Sequence, residues 1–221
     1  MVLVKKIQGF FTKHKAFGIA AVTVYYLLVV LPHERVGRAI TSLFNDLGRA
    51  TYQTAMLILA LILAAFYMFF IRKYLVARKD TFGFVNLFIL IMLTIISYPL
   101  IIIHYVEAIH FLQYAILGFL LFPLIRNYYK VIFWGVLLGM LDEAYQYFYL
   151  DPNSRYFDFN DIVLDQIGLI WGVLPFSVFP KGEKIKTSGG IKSFVPEFTI
   201  LSIILLLLLM LSTTGVLSIY S

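Results

Sequence analysis

The chain is a succession of apolar runs of about 20 residues, most of them uncharged, divided by short charged segments. A bilayer's hydrocarbon core needs about 20 residues of helix, range roughly 17–25. Inside it every backbone N–H and C=O must find a partner within the protein, and a helix supplies those partners locally. The runs cover 16–32, 50–71, 81–103, 108–125, 129–149, 159–179 and 198–219. The pattern predicts an all-α, polytopic transmembrane helix bundle of about seven spans, one domain over residues 1–221. Pro99 near the end of the third run predicts a kink. Asp142 and Glu143 fall in the last turns of the fifth run, giving that helix two candidate ends, at Asp142 or near Tyr149.

Composition agrees. Apolar residues make up 61% of the chain and charged residues 14%, against roughly 45–50% and about 25% in soluble domains. One core of this size cannot hide that surplus, so lipid must cover part of it. The absence of cysteine excludes disulfides, thiolate metal sites and cysteine nucleophiles. The net charge of +6 is spread over short loops and forms no continuous patch. It therefore points to anionic lipid headgroups, not to nucleic acid.

Lys5, Lys6, Lys13 and Lys15 precede the first run as in a signal peptide, but no small-x-small cleavage site follows it. Leu31-Pro32-His33-Glu34 follows instead, which predicts a retained anchor. With the N-terminus in the cytoplasm, fourteen Lys and Arg lie inside and four (Arg35, Arg38, Arg49, Arg155) lie outside. That asymmetry obeys the positive-inside rule and places the C-terminus outside. The expected location is the cytoplasmic membrane.

On this topology the polar residues gather at the extracytoplasmic ends of three helices. Glu107, His110 and Tyr114 open the fourth run and share one helical face. Asp142, Glu143 and Gln146 close the fifth. Arg155 and Asp158 lie in the outer loop, and Asp161 and Asp165 open the sixth. Asp158, Asp161, Asp165, Gly168 and Gly172 follow a 3-4-3-4 spacing. The resulting stripe is acidic at its outer end and small further in, where glycine lets a neighbouring helix approach. Ionisable groups at membrane depth cost roughly 2.5–3.5 kcal/mol each on insertion scales and usually mark a function. Six carboxylates beside Arg155 and His110 cannot all ionise without strong repulsion. Some are protonated, a cation sits among them, or water reaches several. A hard divalent cation suits oxygen ligands, with Asp142, Glu143, Asp158 and Asp161 as candidates. No other cofactor is evident: His14, His33, His104 and His110 lie on different segments and suggest no haem-ligand pair. Glu107, His110 and Glu143 are the candidates for acid–base chemistry. Tyr114, Asp142, Gln146, Arg155, Asp158, Asp161 and Asp165 are candidates for ligand binding. Local roles compete with these. Asp158 or Asn160 suits a helix N-cap, Asp161 suits the helix dipole, and the tyrosines from Tyr145 to Tyr156 suit an interfacial belt.

Glu107-x-x-His110-Phe111-x-x-Tyr114-x-x-Leu117-Gly118 resembles a segment of the VanZ-like family of bacterial membrane proteins. So do Gly139-x-x-Asp142-Glu143-x-x-Gln146, then Arg155-x-x-Asp158-x-x-Asp161-Ile162, then Gly168 and Gly172. Tyr25 to Pro32 is similar to the family's first helix. The resemblance covers a core of about 107–172 plus the first span, 16–32. It makes 50–71 and 81–103 insertions and 198–219 an addition. Asp165 stands where the family commonly has Asn, and 148–154 departs from a short Pro-Gly approach to the Arg. The resemblance implies a cell-envelope role linked to teicoplanin-type glycopeptide resistance, but no reaction. Three functions compete: an outward-facing pocket for a lipid headgroup or lipid-linked wall precursor, an enzyme on a lipid-linked substrate with metal assistance, or an accessory subunit docked to other membrane subunits. All the charge lies near one side and no inverted repeat is visible, which disfavours a transporter.

Overall fold

The computed structural model describes residues 2–48, 51, 54, 58, 65, 69, 88, 90–95, 108–150, 157–178 and 219–220. The expected spans 50–71, 81–103 and 198–219 lie largely outside them. The described positions within 51–69 and 88–95 are helical.

The chain opens with helix α1 (Val2–Lys13) and helix α2 (Lys15–Val30). The two meet at a sharp bend of 106° at His14, and Phe11 of α1 is buried. Pro32 then separates α2 from helix α3 (His33–Leu47). The sequence reading leaves this stretch between the first two spans, with no helix assigned to it. The structure makes it helical: Val36, Ile40, Leu43 and Leu47 recur at helical spacing and give α3 an apolar stripe.

Helix α4 (Ala108–Ile125) and helix α5 (Tyr128–Tyr145) form a tight hairpin. Arg126 adopts φ 56° and its N–H returns to the Phe122 carbonyl at 2.8 Å, a left-handed C-terminal cap. Asn127 caps the next helix through its side chain, which accepts from the Lys130 N–H at 3.2 Å. The last turn of α5 widens into a π-helical turn, Gln146–Leu150, so the helix runs past Asp142. A two-residue strand β1 (Phe157–Asp158) leads into helix α6 (Phe159–Val178). Strand β2 (Ile219–Tyr220) pairs with β1 in parallel, Phe157 opposite Ile219 and Asp158 opposite Tyr220. Ile219, expected in the last helix, is therefore extended, and the C-terminal residues reach the entrance of α6.

The described elements are nearly all helical, as an all-α chain requires. Among the described residues, α6 alone is long and apolar enough to cross a membrane by itself, over Phe159–Phe176. Helix α4 is equally apolar but shorter over Ile109–Ile125, and α5 carries Lys130, Asp142 and Glu143.

The closest helix pair is α4 with α6. A Cβ on Gly168 would strike the carbonyl oxygen of Phe111, and one on Gly172 that of Ala115. The two backbones touch directly along this seam, and only glycine permits it. Around the seam Val22, Tyr114, Leu121, Phe122, Leu169 and Phe176 form the main core, with the Phe122 and Phe176 rings stacked at 4.7 Å. Two tyrosines of α2 lock it to this core. Tyr25 donates to the Gln113 carbonyl at 2.8 Å and Tyr26 to the Leu138 carbonyl at 2.7 Å. A smaller cluster of Tyr147, Phe157 and Ile162 sits under the π-helical turn.

Candidate functional site

The glycine seam fixes α4 against α6 and so sets what stands at the N-terminal end of each helix. His110, one turn into α4, is 2% exposed and lies between two carboxylates of α6. Its Nδ1 is 3.2 Å from Asp165 Oδ1 and its Nε2 is 3.7 Å from Asp161 Oδ2. Both aspartates are buried. Gly139 of α5 makes room for this arrangement: a Cβ there would come within 2.7 Å of Asp165 Oδ2.

A second polar group closes the site from α5. Gln146 is fully buried, and its amide nitrogen donates to Asp142 Oδ1 at 3.1 Å. The same nitrogen stands 3.3 Å from Nδ1 of His33. An amide NH2 only donates, so this Nδ1 is the acceptor and the His33 proton sits on Nε2. The π-helical turn aims Gln146 inward. A π-turn inside an α-helix often accompanies a functional position. The His33 ring also packs against His110, with centroids 5.2 Å apart. The two triads, Asp142–Gln146–His33 and Asp161–His110–Asp165, are therefore one buried network built from α3, α4, α5 and α6.

Glu143 is buried beside this network and accepts the backbone N–H of Asp158 at 3.2 Å. Asp158 is half-buried and turns its own carboxylate to the Asn160 N–H at 2.8 Å. It thus serves the start of α6. Tyr114, four residues after His110 on α4, is 1% exposed and within electrostatic reach of Asp165 and Asp142. Among the described residues its hydroxyl has no hydrogen-bond partner, and neither does Gln146 Oε1.

Of the residues singled out from sequence, the structure brings together His110, Tyr114, Asp142, Gln146, Asp161 and Asp165. Glu143 and Asp158 lie at the margin, joined to each other. Gly168 and Gly172 form the supporting seam. Glu107 and Arg155 lie outside the described residues, as does His104. The sequence reading missed His33 as a member of the site. Its signal was positional: it follows Pro32 at the break between α2 and α3. The statement that the histidines lie on separate segments was correct in sequence, but the fold places His33 against His110. Among the described residues no group of three or more His, Asp and Glu side chains is arranged to hold a metal ion.

Chemically, the cluster sets His110 beside two carboxylates: Nδ1 is within hydrogen-bond reach of Asp165 Oδ1, and Nε2, 3.7 Å from Asp161 Oδ2, is within ion-pair range only. Such an arrangement can hold the polar groups of a ligand.

The model of the family described as VanZ/LLP1 matches residues 19–180. The chain belongs to the VanZ/LLP1 family. All members of the buried network, from His33 to Asp165, fall within the VanZ/LLP1 match, whereas 198–219 lies beyond it. No curated protein and no solved structure matches the chain.

Proposed function

We propose that this VanZ/LLP1 protein is a multi-pass protein of the cell membrane whose buried network forms an outward-facing polar site. The site binds a lipid headgroup or a lipid-linked cell-envelope precursor, and through it the protein contributes to envelope integrity and teicoplanin-type resistance. The observation that carries the proposal is the convergence of His33, His110, Tyr114, Asp142, Gln146, Asp161 and Asp165, all buried, on one end of the bundle. A buried hydroxyl without a partner costs roughly 1–3 kcal/mol, and a ligand that hydrogen-bonds Tyr114 and Gln146 would recover this. The fourteen-to-four distribution of Lys and Arg supports the outward orientation.

Tyr114→Phe separates function from folding. The hydroxyl bonds nothing among the described residues, so its loss leaves the thermal midpoint in detergent unchanged or slightly raised. Teicoplanin susceptibility of cells relying on the variant is expected to match that of cells lacking the protein. Wild-type resistance in Tyr114→Phe at equal expression overturns the proposal.

A further inference from the structure

The turn that sends His33 inward has an opposite, outward side. Val24, Leu27, Leu28 and Leu31 lie on one face of α2 at helical spacing, and with Pro32 and Arg35 they line an open groove of about 450 Å3. That volume lies within the range of small-ligand sites, about 300–1,000 Å3. The floor is apolar, and Leu28 is 66% exposed on it. The cation stands at one end only. Glu34, the nearest carboxylate in sequence, is engaged by Arg38 at 3.4 Å. Arg35 is exposed and has no carboxylate partner among the described residues.

An apolar groove with one guanidinium that pairs with no carboxylate among the described residues is complementary to an amphiphile with one negative charge. We propose that this groove binds a single anionic phospholipid, its acyl chain along Val24, Leu27, Leu28 and Leu31 and its headgroup on Arg35. A guanidinium pairs two phosphate oxygens at once, which fixes the headgroup in place. The lipid would lie against the same helix break that presents His33 to the buried network, but none of the groove residues belongs to that network.

Lipid retention in native mass spectra tests this, with the full chain exchanged into detergent containing phosphatidylglycerol or phosphatidylcholine at equal concentration. Wild type is expected to retain phosphatidylglycerol about fivefold more than phosphatidylcholine, the scale of one basic residue beside an anionic headgroup. Arg35→Gln loses that preference and Arg38→Gln keeps it. Leu28→Trp fills the groove from an exposed position, so it spares the fold and lowers retention of both lipids. Equal retention of the two lipids by wild type overturns the proposal, as does an unchanged preference in Arg35→Gln or full retention in Leu28→Trp. Wild-type resistance in Tyr114→Phe would remove the role of the buried network and leave this lipid preference standing.

Discussion

His110→Ala will destabilise the protein by roughly 3–5 kcal/mol, the scale of breaking a buried ion pair by removing one partner. The imidazole separates Asp161 and Asp165, both at most 4% exposed. Without it two buried carboxylates face each other with no cation between them. Thermal unfolding in mild detergent should show a large fall in the midpoint. The effect has a diagnostic sign in combination. Asp165→Asn removes one of the two carboxylates, so adding it to His110→Ala should recover part of the loss, a coupling of about 0.5–3 kcal/mol between contacting residues. Strict additivity of the two changes would mean that His110 and Asp165 are not partners.

Gly172→Leu will be at least as damaging, for a steric reason. A Cβ at this position already strikes the Ala115 carbonyl of α4, and that neighbour is backbone that cannot rotate away. Inserting even small groups into a packed contact costs about 1–3 kcal/mol, and leucine adds three more carbons. The two helices must part, which also displaces His110 from Asp161 and Asp165. The expected result is loss of the folded species in size-exclusion chromatography, with Gly172→Ala intermediate. A variant Gly9→Leu serves as the control, because nothing lies within 4 Å of a Cβ there. Equal behaviour of Gly172→Leu and Gly9→Leu would contradict the seam.

How much of this was legible in the sequence depended on the physical signal each element carries. Helix α4 is an uninterrupted apolar run and α6 a long run apolar but for Asp161 and Asp165, and their ranges, 108–125 and 159–178, stood out for that reason. The acidic stripe of Asp161 and Asp165 continuing into Gly168 and Gly172 was readable because helical spacing puts the four on one face. Helix α3 was hidden by the opposite circumstance: four charges in fifteen residues look like a loop when only charge is followed, although the period of Val36, Ile40 and Leu43 was present. His33 carried no periodic signal, since its place in the site comes from its position at the helix break that Pro32 makes. The pairing of Phe157–Asp158 with Ile219–Tyr220 joins residues some sixty positions apart through two-residue strands, too short to leave a pattern. Asp158 was readable both as a ligand carboxylate and as a helix N-cap, and the fold engages its carboxylate with the Asn160 N–H at the start of α6.

The buried network is proposed to hold a ligand of the lipid class. The most direct measurement is the native mass of the full chain extracted from its own membrane in mild detergent. The expected spectrum is a monomer or homo-oligomer carrying retained adducts of lipid mass, of which Gln146→Leu loses the one held by the buried network while Arg35→Gln keeps that one. A mass with no adduct, or one that includes other polypeptides in fixed ratio, would contradict the claim and make the network a structural feature of a larger assembly.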